Sequence, residues 1–168
     1  IITTGGGGAI ITNNKNLAIK ARHLSTTAKK KIKYSNVHDT IGFNYRMTNL
    51  NAALGIAQLK KLNKILINKK KLKNKLINSL IPIKEYFELF ESPINSKSNY
   101  WMQLLIIKKK LNTNNLLKFL NKNKIESQKV WKNNDNFKHL QKFPKMNNMK
   151  SAKFNDKIIC LPSNTFYL

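Results

Sequence analysis

Cysteine, arginine, acidic residues and long apolar runs are all scarce in this 168-residue chain, and each scarcity excludes something. Cys160 is the single cysteine, so no disulfide can close within the chain, and no Cys/His spacing of a zinc site exists. It sits in Ile158-Ile159-Cys160-Leu161, the setting of a buried, inert thiol, and a reducing, cytoplasmic location fits it. No metal site is expected. No apolar run approaches the roughly 20 residues that span a bilayer, so no membrane is expected as a partner. No charged segment precedes an apolar core of signal-peptide type. The chain opens at Ile1, without methionine, in an apolar stretch that runs into glycines, and reads as a cut through a longer protein. No internal repeat is found.

Asp and Glu number 7 against 32 Lys and Arg, a formal charge of +25. Such a charge invites a nucleic-acid reading, because clustered cations release counterions from phosphates. Its make-up argues otherwise. Only Arg22 and Arg46 are arginines, whereas base readers and phosphate clamps favour the rigid guanidinium fork. Aromatic residues are not interleaved with arginines as on a single-strand platform. Lysine comes with abundant asparagine and isoleucine along most of the chain, as a strongly AT-biased coding sequence gives. No specific nucleic-acid partner is expected. A basic nucleic-acid-binding module and a non-catalytic remnant stand as the alternative readings.

With 41% hydrophobic residues the chain can bury a real core. Ile1 to Thr4 and Ala9 to Thr12 read as short strands flanking Gly5-Gly6-Gly7-Gly8. Asn13 or Asn14 caps a helix carrying Leu17, Ala18, Ala21 and Leu24. From about Ser25 to Met47 the apolar periodicity stops, and a loop that long in a compact domain is usually functional or disordered. Thr48 or Asn49 then caps a long helix with Leu50, Ala53, Leu54 and Ala57 at i, i+3, i+4 and i+7. Its first half is rich in small residues and reads as buried; its second half is lysine-rich and reads as solvated. Pro82 ends it. Tyr100 to Ile107, Ile125 to Trp131 and Ile158 to Leu161 read as strands, and Thr113 to Asn121 and Asn147 to Asp156 as helices. The end at Leu168 reads as abrupt.

Four segments carry a resemblance: Thr3 to Gly8; Ala21-Arg22-His23-Leu24-Ser25-Thr26-Thr27-Ala28; His38 through Gly55, containing Gly42-Phe43-Asn44-Tyr45-Arg46; and Ser98-Asn99-Tyr100-Trp101. In this order and spacing the chain resembles the DegT/StrS group of nucleotide-sugar aminotransferases. Within it the chain looks most like enzymes making 4-amino-4,6-dideoxy sugars of the legionaminic acid and bacillosamine type. The resemblance weakens after Trp101.

That resemblance implies an α/β fold, the C-terminal part of a fold-type-I aminotransferase. Residues 1–56 would end the large cofactor-binding domain, 57–85 form a connecting helix and 86–168 a truncated small α/β domain. It implies pyridoxal 5'-phosphate as cofactor, a homodimer, and glutamate and a 4-keto-6-deoxy nucleotide sugar as substrates in polysaccharide or glycan biosynthesis. The family's Schiff-base lysine precedes the Thr-Thr-Gly segment, a position before Ile1. No residue here inherits that catalytic role, and the fragment alone is expected to be inactive. Asn44 matches the asparagine that reaches the neighbouring subunit's cofactor phosphate, and Arg46 is placed near that phosphate or the sugar diphosphate. His38, Tyr45, Ser25 and Thr26 are the substrate-side candidates, with His23 beside them. Other roles stay open: Arg46 paired with Asp39 to brace the loop, Ser25 and Thr26 as helix caps, His38 as a structural hydrogen bonder, Tyr100 and Trp101 as core or domain-interface residues. Gln128 stands where relatives often carry arginine, which removes one charge-assisted contact.

Overall fold

A computed structural model describes residues 1–147 and 149–165. The chain divides into two compact units, Ile1–Leu62 and Asn63–Leu168.

In the first unit, α1 spans Lys15–Ser25. The Asn14 carboxamide accepts from the amides of Asn16 and Leu17, satisfying donors that the first helical turn leaves unpaired. Strands β1 (Lys29–Ile32) and β2 (Ser35–His38) form an antiparallel hairpin, Lys29 opposite His38 and Ile32 opposite Ser35. The stretch expected to be an irregular loop therefore holds a hairpin that Lys-Lys-Lys-Ile does not announce by alternation. The strands expected at Ile1 to Thr4 and Ala9 to Thr12 are not formed, since no described strand offers either a ladder partner.

Helix α2 runs unbroken over Asn49–Leu80, from the first unit into the second. Thr48 caps it, its hydroxyl accepting from the Asn51 amide at 3.3 Å. The burial expected along it is reversed. Leu50 is 85% exposed and Leu59 is also open, while the buried residue is Lys69 in the lysine-rich half. The Lys69 ammonium donates to the Ser163 carbonyl at 2.8 Å and its hydroxyl at 3.1 Å, and burial lowers its pKa.

The second unit is built on a four-stranded antiparallel sheet. Its strands are β3 (Phe87–Leu89), β4 (Gln103–Ile107), β5 (Gln128–Lys129) and β6 (Ile158–Leu161), in the order β3-β4-β6-β5. Burial alternates along β4, with Gln103, Leu105 and Ile107 inward, as a half-buried strand requires. Leu105, Ile107 and Ile159 form the core, covered by Leu80, Phe87, Leu116, Leu117 and Leu161. Leu116 and Leu117 come from α3 (Thr113–Lys122), and the Thr113 hydroxyl donates to the Asp156 carbonyl. A short α4 covers Met149–Asn155; Asn148, in the helix expected from Asn147, lies outside the described residues, as does the end at Leu168. Cys160 is buried and its thiol is pushed up by burial, in keeping with an inert role. Trp101 is not a core residue: it is 57% exposed and leans on the equally open Trp131 at 6.2 Å between ring centroids.

Candidate functional site

The site begins where α1 ends. The hydroxyls of Ser25 and Thr26 both donate to the Arg22 carbonyl, at 3.1 and 2.8 Å, satisfying an acceptor that the last turn would leave open. Thr27 and Ala28 then adopt left-handed φ values of 66° and 52°, reversing the chain into β1. Gly42 lies against this reversal. A Cβ there would stand 2.4 Å from the Ala28 nitrogen and the Thr27 carbonyl carbon, so only glycine fits. Close approach lets the 43–45 segment bond to the end of α1. The Phe43 amide donates to the Leu24 carbonyl at 2.7 Å, the Thr27 amide to Phe43 at 2.9 Å and the Tyr45 amide to Ser25 at 2.9 Å. Thr26 and Asn44 form a single antiparallel bridge.

A hydrogen-bonded contact tethers the hairpin to α1. His23 Nε2 lies 2.6 Å from Asp39 Oδ1, and this hydrogen bond holds the Asp39 carboxyl below its ordinary pKa. Lys30 adds a contact at 3.9 Å. Asp39 is thus engaged by His23 and Lys30, and the alternative that it pairs with Arg46 does not hold.

Two open clefts meet at this point. The first, about 780 Å³, lies between the glycine run and the end of α1, with Arg22, Ser25, Tyr45 and Arg46 on its walls. The glycines are held over the start of α2: the Asn51 carboxamide donates to the Thr4 carbonyl, and the Thr4 hydroxyl to Gly6 at 2.7 Å. Gly7 has φ 108°, and a Cβ there would come within 2.9 Å of the Met47 methyl. The second cleft, about 1250 Å³, shares Arg22, Ser25, Tyr45 and Arg46 and extends along the hairpin to Tyr34. No carboxylate lines either cleft, and no lysine lines the first. Neither guanidinium has an ion-pair or hydrogen-bond partner among the described residues. The only two arginines of a lysine-saturated chain therefore stand unpaired on one shared wall. Fixed forks of donors with no counter-charge suit phosphate groups.

The structure brings Ser25, Tyr45 and Arg46 into the first cleft, and Thr26 joins them in the second. Asn44 lines neither cleft. Phe43 and Tyr45 stack at 5.2 Å on one face of their segment, so by strand alternation Asn44 projects from the other. It is exposed, and its carboxamide has no partner among the described residues. His38 is also outside the clefts, its Nδ1 2.7 Å from the Thr27 carbonyl. Arg22 was not among the sequence candidates for the site, although the rarity of arginine pointed to it.

Unpaired arginines beside a glycine run suit several classes of anionic ligand. The comparisons narrow the class. The DegT/DnrJ/EryC1/StrS aminotransferase family pattern matches residues 1–165, and the chain belongs to that family. It is 37% identical over 105 residues to GDP-perosamine synthase of Escherichia coli O157:H7, covering 60% of this chain and 27% of that protein. It is 44% identical over 64 residues to the UDP-4-amino-4,6-dideoxy-N-acetyl-beta-L-altrosamine transaminase of Campylobacter jejuni strain 81-176, covering 37% of this chain and 17% of that protein. Among solved structures, Helicobacter pylori PseC, an aminotransferase involved in the biosynthesis of pseudoaminic acid, superposes with a TM-score of 0.81 at 26% identity. That match covers 97% of this chain and 45% of PseC. The chain therefore spans less than half the length of these relatives. The α/β architecture is that of part of a sugar aminotransferase, a family that uses pyridoxal 5'-phosphate. No described helix is long and apolar enough to cross a membrane.

Proposed function

We propose that this chain forms part of an enzyme that moves an amino group from glutamate to C4 of a 4-keto-6-deoxy nucleotide sugar in cytoplasmic glycan biosynthesis. The observation that carries the proposal is the convergence of Arg22 and Arg46, unpaired, on a cleft without carboxylates. Residues 1–56 are the end of the large domain, 57–85 the connecting helix and 86–168 the small domain.

The cleft residues fit the anionic end of pyridoxal 5'-phosphate: two guanidiniums, the Ser25 hydroxyl and approachable glycine backbone surround one space. When bound, that cofactor supplies the electron sink that lets an amino group and a proton change carriers. Arg46 and Arg22 hold phosphate by charge-assisted hydrogen bonds, and Tyr45 closes the side toward α1. The first cleft has no lysine on its walls, so the covalent anchor comes from outside these residues, and the chain alone has no transaminase activity. Asn44, exposed and unengaged within its own fold, serves the cofactor phosphate of a neighbouring subunit in a homodimer. An amide donor suits that task, since it bonds a phosphate oxygen without adding charge. His38 contacts substrate from the hairpin through the ring nitrogen that does not face Thr27. Ser25 and Thr26 contribute hydroxyl oxygens that still accept.

The test is complementation between subunits of a full-length enzyme, made by joining the upstream part of the E. coli perosamine synthase to this chain. One subunit type lacks the anchoring lysine; the other carries Asn44→Ala. A shared site restores one intact centre per mixed dimer, and amino-sugar product returns. Recovery no better than that of the separate variants would show that Asn44 serves its own subunit. Absence of product from the unsubstituted joined enzyme with any 4-keto nucleotide sugar would contradict the activity itself.

A further inference from the structure

A third cleft of the first unit, about 530 Å³, lies along α1 and has a different character. Ile10, Leu17 and Leu24 line it together with the stacked rings of Phe43 and Tyr45. Lysine and arginine make up 32 of the 168 residues, yet Lys20 is the one charged residue on these walls. In a chain this rich in lysine, a concave face that nearly lacks it is shaped for burial. The face is nonetheless open: Leu17 is 56% exposed, and Ile10 and Tyr45 are more so. Nor does the rest of its unit cover it, since Ala28 alone is buried between Ile1 and Leu62. PseC keeps the same arrangement in a much longer chain, for the superposition takes in 97% of this chain and only 45% of PseC. The cover is therefore to be looked for in the part of the relatives that this chain does not span.

We propose that this groove seats the upstream part of the aminotransferase through an apolar surface that packs on Leu17, Leu24 and the two rings. The groove takes that part even when it is a separate polypeptide, so that two chains assemble into one enzyme. The choice of occupant rests on the aminotransferase reading above; the open apolar face does not. A second copy of this chain is the poorer occupant, because two chains of formal charge +25 repel each other.

Co-expression of this chain with a tagged upstream part of the E. coli perosamine synthase, followed by gel filtration with light scattering, tests the groove. One chain of each kind per complex is expected. Leu17→Glu drives a charge into the apolar contact and should weaken the complex at least about tenfold. The isolated variant should keep the parent circular dichroism, because its side chain already meets water. Ile19→Glu is the matched control: it is 58% exposed and turned about 200° around the same helix from Leu17. It should leave the complex at the parent affinity. A second measurement uses the joined enzyme, in which Leu17→Glu should lower Tm by several degrees while leaving that of the isolated chain unchanged. Absence of the complex, equal loss in both variants, or an unchanged Tm in the joined enzyme overturns the proposal. So does a dimer of this chain alone that Leu17→Glu dissolves, since the face then belongs to a second copy. A complex that forms as expected but transfers no amino group would uphold the groove and sink only the activity.

Discussion

The two units reach order by different physics. Residues Asn63–Leu168 enclose a core in which Ile159 is fully buried and Leu105 and Ile107 nearly so, built from paired strands with leucines of α3 against them. In Ile1–Leu62 the only buried residue is Ala28, while Ile10, Ile11 and Leu50 stand open to solvent. That unit is shaped by backbone hydrogen bonds, caps and one obligatory glycine. Each such bond contributes only about 0.5–1.5 kcal/mol net in water. The candidate clefts of the first unit therefore lie where the chain buries least. Its site is set by local geometry, and its stability does not come from its own burial.

Substitutions that separate the two kinds of order should sharpen this contrast. Ile159→Ala empties a fully buried position, so it should lower the stability of the second unit by about 2–5 kcal/mol, read from its denaturant midpoint. Gly42→Ala forces a Cβ against the Thr27–Ala28 backbone and should cost about 1–3 kcal/mol. Hydrogen exchange should show that loss at the Phe43 and Tyr45 amides and not in β4 or β6; protection lost equally in both units would break the comparison. Leu50→Ala, at a site 85% exposed, should change stability by less than about 0.5 kcal/mol in this chain. The smallest effect is acidic. The folded pKa of Asp39 lies below its ordinary 3.8, so the contribution of its carboxylate is fully present above that value and is lost as pH falls through the lower folded one. The carboxyl carbon shift of Asp39 should move only below its ordinary pH range, about pH 4, and an Asp39 carboxyl titrating above that range would contradict the assignment.

The same contrast governs what the sequence discloses. Where burial dictates structure, periodicity reads it. The strand Ile158 to Leu161 has the bounds expected for it, and the long helix differs by one residue at its start. Asn14 caps α1 as its side-chain chemistry suggests. Where geometry depends on long-range bonds, the reading falters. Lys29 to Ile32 has no apolar alternation, so the hairpin is invisible until Tyr34 takes its left-handed φ. The apolar residues of early α2 announced burial, yet within this chain Leu50 is 85% and Leu59 58% exposed. At the site, glycines and the rarity of arginine were informative. That Asp39 would join His23, leaving Arg46 free beside Arg22, follows from the fold of residues far apart in sequence and could not be read from spacing.

The first cleft offers a phosphorylated cofactor no covalent anchor of its own. Incubating the chain with pyridoxal 5'-phosphate, reducing with borohydride and mapping the modified lysines by mass spectrometry tests it most directly. The account predicts partial labels scattered over exposed lysines such as Lys29, Lys60 and Lys118, insensitive to Arg46→Gln. Stoichiometric labelling of one lysine, lost on Arg46→Gln, would contradict it.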